Sequence, residues 1–379
     1  MNFSSHRLSS LRTARGNFVS ATKNAEISVE TLRAFTSTFG QKKIANLLRY
    51  GVRSYTIVYE TNWKGNRIKA SGLLLLPTGI SEAAPIMSIQ HGTSFSKSEA
   101  PSAAGGYSGM ELFASAGYVV LMPDYIGYGS SAQLFHPYYD KGHSALSVID
   151  MISSAKQFLQ KEKVEFNDKL FLAGYSEGGY VTLAAAAEIE RNPSHDLRVT
   201  AVAAGAGGYD LGQMLTSVTT DSYYAYPAYL AFVLMAYNNT YDWNKPLTYY
   251  FKKPYPDALT KYMRGAHNGW TINSHLTTNL TSLFDTDFYT NLKTPEGERI
   301  LKVALKGNSV DGWKTKIPIR LYHGTNDEII PFKNSDATLK SFHLAGSHQV
   351  TLTTIPAGNH GSSFFPMLQL LIPWFIELK

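Results

Sequence analysis

The amino-acid sequence predicts an α/β fold. We expect a mostly parallel sheet with an antiparallel N-terminal hairpin, helices on both faces and an inserted helical cap, or lid. Short apolar runs alternate with helical stretches along most of the chain, which is typical of a parallel sheet covered by helices. One long, aromatic-rich segment interrupts this alternation, and it predicts the cap.

The first 50 residues are predicted to form a polar tail and a helix. Residues 1–27 are polar and have no clear period, whereas residues 28–49 carry apolar side chains at roughly helical spacing. Two strand-like runs follow, VRSYTIVYET and RIKASGLLLLP, on either side of NWKGN. This pattern favours an antiparallel hairpin.

The alternating pattern continues after the hairpin. The predicted strands are PIMSIQHG, YVVLMPD, KLFLAGYS, RVTAVAAGAGG, IPIRLYHG and QVTLTTIP, with helical stretches between them and at the C-terminus. We therefore assign residues 51–208 to the first part of the α/β core and residues 311–379 to the second part.

Residues 209–310 lack strand signals and are unusually rich in tyrosine and phenylalanine. Because they lie between two predicted strands of the sheet, we interpret them as a helical cap above the carboxyl edge. Most of the aromatic rings are expected to fill the core of the cap itself. A few should line a groove, since tyrosine combines an apolar ring with a polar tip.

The composition limits the chemistry. The chain has 379 residues, of which 44% are hydrophobic and 17% charged, so a sizeable core is expected. The formal net charge of +6 is spread along the chain, and without a basic stripe we expect no nucleic-acid partner. There is no cysteine, which excludes thiol catalysis, disulfides and cysteine-ligated metals.

The stretch LFLAGYSEGGY contains the strongest candidate for a nucleophile. An apolar strand ends here and an alanine-rich helix begins, with Ser176 at the turn between Gly174 and Gly178. The spacing G-x-S-x-G is that of a nucleophile elbow, a strained turn that exposes the serine hydroxyl at the edge of a sheet. The alternative is an ordinary glycine-containing turn with an incidental serine.

A serine nucleophile needs a base that a carboxylate holds in place. His360 follows the last predicted strand in the loop GNHG, which is the expected position of the base. Asp327 follows the preceding strand in HGTNDEIIP, and Glu328 is the alternative acid. His323 is expected to support that loop. A role for His360 in a helix-capping loop is the alternative to catalysis.

Two backbone N–H groups are expected to stabilise an oxyanion. One belongs to Glu177, directly after the serine, and the other to Thr93 in the loop SIQHGTSF, with His91 and Gly92 supporting that loop. An ordinary turn at the end of a strand is the alternative for the second group. Asp124, in PDYIGYGSS, is expected to be structural.

The motifs QHGT, PDYIGYGSS, GYSEGG, HGTNDEIIP and GNHG, in this order, resemble those of the α/β-hydrolase superfamily. More narrowly, the chain is similar to the secretory lipase and esterase branch, including cell-wall-degrading esterases of plant-associated bacteria, from about residue 50 to the end. The resemblance implies Ser176 as nucleophile, Asp327 as acid and His360 as base. It also implies hydrolysis of carboxylic esters through an acyl-enzyme.

The leading hypothesis is therefore a serine esterase or lipase whose substrate has an apolar acyl or aryl group. The alternatives are a serine peptidase of the same fold, an esterase acting on acyl groups linked to plant polysaccharides, an acyl transferase, and a catalytically silent binding module. We find no metal-binding or nucleotide-binding motif and expect neither a metal nor a cofactor.

We expect the partner to be a small-molecule or lipid ester. No run of eighteen apolar residues is present, so no transmembrane segment is expected. The N-terminus lacks an apolar signal-peptide core. We expect a monomeric, secreted or periplasmic protein in its mature form, with a cytoplasmic location as the alternative.

Overall fold

A single mixed sheet of nine strands organises the residues that the computed structural model describes, which are 16–38, 45–103 and 107–379. The spatial order is β1-β2-β3-β5-β4-β6-β7-β8-β9. The strands are β1 (Phe18–Ile27), β2 (Gly51–Trp63), β3 (Asn66–Thr78), β4 (Ala84–Gln90), β5 (Val119–Pro123), β6 (Phe166–Tyr175), β7 (Val199–Gly205), β8 (Ile319–Gly324) and β9 (Thr351–Ile355).

Strands β1, β2, β3 and β5 pair antiparallel, and from β5 to β9 every pairing is parallel. This confirms the predicted α/β fold, a mostly parallel sheet that begins with an antiparallel hairpin. Since parallel strands end at the same edge, the loops that follow β4, β5, β6, β8 and β9 all lie at the carboxyl edge.

In the described ranges, six α-helices accompany the sheet strands, and a further series lies between β7 and β8. The first group is α1 (Val29–Thr38), α2 (Glu111–Ser115), α3 (Lys141–Lys161), α4 (Glu177–Arg191), α13 (Lys333–Leu344) and α14 (Phe364–Leu378). The series between β7 and β8 is α5 (Leu211–Thr220), α6 (Pro227–Thr240), α7 (Leu247–Tyr250), α8 (Tyr255–Tyr262), α9 (Gly269–Ser274), α10 (Leu280–Leu283), α11 (Thr286–Lys293) and α12 (Arg299–Asn308).

The N-terminal prediction needs correction. The polar tail predicted over residues 1–27 does not hold for β1, which pairs along its length with β2. Residues 1–15 lie outside the described residues. Of the helix predicted over residues 28–49, α1 covers Val29–Thr38, residues 39–44 lie outside the described residues, and residues 46–49 are not helical.

The central strands bury both of their faces. Along β6, Leu170 and Leu172 pack into one apolar layer with α3 and α4, whereas Phe171 and Ala173 pack into the opposite layer with α2 and α14. The ring centroid of Phe171 lies 4.9 Å from that of Phe375 in α14. Helices on both faces therefore hold the sheet rigidly beneath the loops of its carboxyl edge.

Aromatic rings pack against one another within the segment between β7 and β8. Phe251 stacks on Phe284 with 5.5 Å between ring centroids, and Tyr250 meets Phe288 edge-on at 5.2 Å. These four side chains are almost fully buried, so they form part of the interior of this helical segment. The division of the chain at residues 209 and 310 remains a prediction.

No helix in the described part of the chain combines the length and apolar character needed to span a bilayer.

Replacing Phe375 by alanine tests how α14 docks on the sheet. Phe375 is fully buried, so we expect Phe375→Ala to lower the free energy of unfolding by about 3–5 kcal/mol, because the lost ring leaves a cavity. Ile376, the next residue, has 38% of its surface exposed, and Ile376→Ala should cost much less. Urea unfolding followed by circular dichroism measures both. Equal losses for the two variants would contradict the packing described for α14.

Candidate active site

The turn between β6 and α4 has the geometry of a nucleophile elbow. Ser176 has φ 59° and ψ −127°, a backbone conformation that L-residues rarely adopt. A Cβ atom on Gly174 would lie 2.2 Å from the carbonyl oxygen of Gly178, and one on Gly178 would lie 2.0 Å from that of Gln90. Only glycine fits at either position, which explains the spacing G-x-S-x-G.

Three of the predicted residues form one chain of hydrogen bonds. Nε2 of His360 lies 2.9 Å from Oγ of Ser176, and Nδ1 of His360 lies 2.7 Å from Oδ2 of Asp327. The Nδ1–H donates to the carboxylate, so Nε2 is free to accept the hydroxyl proton of the serine. The loops after β6, β8 and β9 thus bring together side chains that lie far apart in the sequence.

The carboxylate of Asp327 is buried and fully hydrogen-bonded. Its Oδ1 accepts from the N–H groups of Ile329 (2.9 Å) and Ile330 (2.8 Å), and its Oδ2 lies 3.2 Å from Nε2 of His323. Burial alone would raise the pKa of Asp327, but the hydrogen bonds from His323 and His360 outweigh it and hold this pKa well below its usual range. Asp327 therefore stays ionised beside the imidazole.

Glu328, the alternative acid, does not contact the imidazole ring of His360 in the same way. Its Oε2 accepts from the backbone N–H of His360 at 3.1 Å, and its Oε1 lies 3.4 Å from the hydroxyl of Tyr226. Of the two acids considered, the structure brings Asp327 to the ring and leaves Glu328 beside the backbone.

The predicted oxyanion residues border the serine. Gly92 lies in contact with the elbow, since a Cβ on it would be 3.6 Å from Cβ of Ser176. Glu177 is the first residue of α4, whose positive end points at the same place. Among the described residues, neither the N–H of Thr93 nor that of Glu177 has a hydrogen-bond acceptor. Both donors are thus available to a ligand.

The loop of His91 is held from the neighbouring strand. Nδ1 of His91 lies 2.7 Å from the carbonyl oxygen of Gly92, the next residue. The ring of His91 stacks on that of Tyr125, with 4.1 Å between the centroids. The hydroxyl of Tyr125 donates to the carbonyl of His91 at 3.0 Å, and that of Tyr128 donates to the carbonyl of Ser94. The DYIGYG motif therefore braces the loop that contains Thr93.

Asp124 sits behind this motif as a buried acceptor. Its carboxylate accepts the hydroxyls of Ser71 and Ser102, both at 2.6 Å, and the N–H of Ser102 at 2.8 Å. These bonds tie β3, β5 and the chain after β4 together. The geometry agrees with the structural role expected for Asp124.

His136 and Tyr138 also contact the site, although no sequence motif pointed to them. Nε2 of His136 lies 2.6 Å from Oε1 of Glu177, and the hydroxyl of Tyr138 lies 2.8 Å from Oγ1 of Thr93. Both residues belong to the stretch FHPYYD, just before the N-cap Asp140 of α3. The one feature of the sequence that could have indicated a role for them is the cluster of a histidine and two tyrosines in a single loop.

An apolar cavity opens beside Ser176. Helices α5, α6, α11 and α12 build most of its wall, and no charged side chain lines it among the described residues. The apolar lining includes Leu211, Met214, Leu230, Leu234, Leu292 and Leu305. A lining of this kind is suited to a hydrocarbon group.

In the described ranges 16–38, 45–103 and 107–379, no three or more His, Asp or Glu side chains converge as a metal site would require.

Comparison with known proteins assigns the chain to a family. The sequence profile of the family described as "Secretory lipase" matches residues 110–377, which is more than half of the chain. The chain belongs to the secretory lipase family. No curated protein sequence gave a significant match.

Solved structures agree with this family. A protein from Legionella pneumophila described as a candidate hydrolase is 26% identical, with a TM-score of 0.86 over 95% of this chain and 98% of that one. The rice cell wall degrading esterase LipA from Xanthomonas oryzae, in a ligand-bound form, is 26% identical, with a TM-score of 0.83 over 94% of this chain and 95% of that one. Candida antarctica lipase A, in its closed state, shares the fold at 16% identity, with a TM-score of 0.67 over 96% and 82% of the two chains.

This member of the family is therefore an α/β-hydrolase, a hydrolytic enzyme of the lipase and esterase type.

The buried carboxylate predicts a pH dependence of stability. The pKa of Asp327 is lowered in the folded protein, so its stabilising contribution is fully present above its unfolded value of about 3.9 and is lost as the pH falls below that value. The difference in unfolding free energy between the wild type and Asp327→Asn should therefore shrink from pH 6 to pH 3. Urea titrations at each pH measure it, with Asp168→Asn on the exposed start of β6 as the control. A difference that grows towards pH 3 would contradict the pKa direction.

Proposed function

We propose that this enzyme hydrolyses carboxylic esters with an apolar acyl group, through an acyl-enzyme on Ser176. The observation that carries the proposal is the continuous hydrogen-bond chain from Ser176 through His360 to Asp327, at the mouth of an apolar cavity. The chain supplies an activated nucleophile, and the cavity supplies a binding site for hydrocarbon.

In the acylation step, His360 Nε2 takes the proton of the Ser176 hydroxyl while Oγ attacks the ester carbonyl carbon. The imidazolium that forms is stabilised by the carboxylate of Asp327, which holds Nδ1–H. The negative charge moves to the carbonyl oxygen, which accepts hydrogen bonds from the N–H groups of Thr93 and Glu177. Collapse of the tetrahedral intermediate breaks the bond to the alcohol oxygen, which leaves with the proton from His360.

In the deacylation step, a water molecule takes the place of the alcohol. His360 accepts a proton from this water as its oxygen attacks the acyl carbon, and a second oxyanion forms at the same two N–H groups. Release of Ser176 with the proton from His360 gives the free acid. The same five groups therefore serve both halves of the reaction.

The cavity favours an acyl group over a peptide. Burial of each CH₂ group from water contributes about 0.8 kcal/mol, so an acyl chain gains affinity with each carbon that enters. An amino-terminal peptide substrate would instead need a carboxylate for its ammonium group, and the described lining has no charged residue. The complete hydrogen-bond chain also argues against a catalytically silent binding module.

An ester of a plant polysaccharide is the second candidate. It is favoured by the likeness to a rice cell wall degrading esterase. In that case the acyl part would still occupy the cavity, and the sugar would be the alcohol that leaves.

We also propose that the protein is secreted and acts as a monomer. The name of its family supports secretion. All the residues of the proposed mechanism come from one chain, so the site is complete without a partner.

Replacing the proposed catalytic residues tests the mechanism. Ser176→Ala should reduce hydrolysis of p-nitrophenyl esters to background and abolish labelling by a fluorophosphonate, since the attacking oxygen is gone. His360→Ala should do nearly the same. Asp327→Asn should reduce kcat by about 10⁴-fold, because the imidazole is no longer held in its reactive tautomer.

Glu328→Gln is the matched control for Asp327→Asn, because it removes the adjacent carboxylate, which contacts His360 through the backbone N–H and not through the ring. It should keep kcat within about tenfold of the wild type. A much larger loss for Glu328→Gln than for Asp327→Asn would assign the acid to Glu328. Full activity of Ser176→Ala would reject the mechanism.

The cavity predicts a preference for longer acyl groups. From p-nitrophenyl acetate upwards, kcat/KM should rise by about fourfold per added CH₂ until the cavity is full. Met214→Trp, in the cavity wall, should reduce activity on the longer esters and leave the acetate unaffected. Ile300→Trp on the exposed face of α12 is the control and should change neither. Faster hydrolysis of aminoacyl anilides than of any ester would point to a peptidase.

A further inference from the structure

Residues 135–139 (FHPYY) form a loop that contacts both residues of the proposed oxyanion hole. We propose that His136 and Tyr138 in this loop are positioning residues, which hold Glu177 and Thr93 so that their N–H groups converge on the oxyanion. This inference rests on the proposed function and adds to it the element that fixes its geometry.

The first contact is a buried pair between His136 and Glu177. Nε2 of His136 lies 2.6 Å from Oε1 of Glu177, and the two side chains are only 5% and 1% exposed. Nδ1 of His136 lies 2.8 Å from the carbonyl of Ile126, which has no proton to give, so Nδ1–H must donate to it. The ring is therefore fixed from one side and holds the carboxyl group on the other.

His136 is the hydrogen-bond partner that anchors the Glu177 side chain. The other carboxyl oxygen of Glu177, Oε2, is buried and has no hydrogen-bond partner among the described residues. A buried carboxyl group that lost its partner would have to turn away or remain unpaired at a large cost. Because the proposed oxyanion donor is the N–H of this same residue, movement of the side chain would tilt the donor.

The second contact joins Tyr138 to Thr93. The two hydroxyl oxygens lie 2.8 Å apart, and Tyr138 is almost fully buried. Burial raises the pKa of the Tyr138 hydroxyl well above its ordinary value, so the group remains protonated at any working pH. Thr93 belongs to a loop without regular secondary structure, and this bond fixes its side chain to the 135–139 loop.

The loop itself is held on several sides. The carbonyl of Tyr139 accepts hydrogen bonds from the hydroxyls of Tyr180 in α4 (3.1 Å) and Tyr237 in α6 (3.0 Å). Behind it, Gly127 approaches so closely that a Cβ atom there would lie 2.6 Å from Cα of His136. These contacts make the loop a rigid support from which two side chains reach the site.

Phe232 of α6 covers this support. Its ring centroid lies 4.7 Å from that of Tyr138, 5.6 Å from that of Phe135 and 5.9 Å from that of His136. A helix of the segment that lines the acyl cavity thus presses on the loop that holds the oxyanion donors. The position of α6 therefore bears on the reaction rate as well as on binding.

A positioning role differs from a purely structural one in its kinetics. The oxyanion forms only on the way through the transition states, in acylation and in deacylation. A misplaced donor therefore lowers kcat and leaves the KM of the substrate largely unchanged. A structural role would lower thermal stability, while the protein that remains folded would keep its kcat.

The experiment measures kcat, KM and Tm with p-nitrophenyl butyrate. Removing one oxyanion donor outright costs about 10²–10³ in kcat, so displacing one should cost less. We expect Tyr138→Phe and His136→Phe each to lower kcat about tenfold or more at unchanged KM. Glu177→Gln keeps a side chain that can hydrogen-bond to Nε2 of His136, so it should lower kcat less than His136→Phe does.

A double-mutant cycle tests whether His136 acts through Glu177. Glu177→Leu should lower kcat as much as His136→Phe does, and the double variant should be no slower than either single variant. Additive losses in the double variant would overturn the assignment of His136, because they would mean that the two side chains act separately.

Two matched controls lie away from the loop. Tyr59→Phe removes a buried hydroxyl that donates to the carbonyl of Ser147 at 2.9 Å. His195→Gln alters a histidine–glutamate contact of 3.0 Å with Glu188, near the other end of α4. Both should lower Tm with kcat unchanged.

The outcomes separate this inference from the proposed function. Wild-type kcat for both His136→Phe and Tyr138→Phe, or equal losses in the controls, would overturn the positioning role. If Ser176→Ala is inactive in the same assay, the serine mechanism stands even then. If Ser176→Ala keeps its turnover, the proposed function itself fails.

Discussion

The site depends on the close approach of α4 to the ends of the central strands. Ser176 adopts a positive φ at the start of this helix, and Gly178 packs directly on the carbonyl of Gln90 at the end of β4. A conformation of this kind costs on the order of 1–3 kcal/mol and persists only where the surroundings enforce it. Here the N–H of Ser176 donates to the carbonyl of Gly205 at 2.9 Å, and the helix behind it is buried between sheet and α3.

A polar region and an apolar region lie on different sides of this turn. On one side, Asp327 is buried with each carboxyl oxygen hydrogen-bonded, so a charge remains beside His360 without an unpaired atom. On the other side, the cavity carries no charge among the residues described and can accept hydrocarbon. An ester placed between them would have its reacting carbonyl in a polar environment and its acyl chain in an apolar one.

The sequence was informative where function depends on local spacing. The elbow of Ser176 requires glycine at fixed positions. Asp327 follows the buried strand β8, and His360 follows β9, whose β-branched residues favour a strand. Strand β1 was missed because most of its residues are exposed or half-buried, so its sequence lacks the apolar alternation typical of a strand. Backbone pairing with β2 is what makes this segment a strand.

His136 and Tyr138 were missed for a different reason. Their partners, Glu177 and Thr93, lie 41 and 45 residues away in the sequence, and no spacing rule connects them. The packing of the loop against the chain after β5 and against Phe232 helps to bring them to the site. Contacts of this kind are a property of the folded protein and leave no local pattern.

The covering of the 135–139 loop by Phe232 has a consequence for protein engineering. Exchange of the helices between β7 and β8 for those of another hydrolase is a natural way to change selectivity. In this enzyme such a chimera would also replace the ring that clamps the loop. A graft that retained an aromatic residue at this position would be the better starting point for a new substrate range.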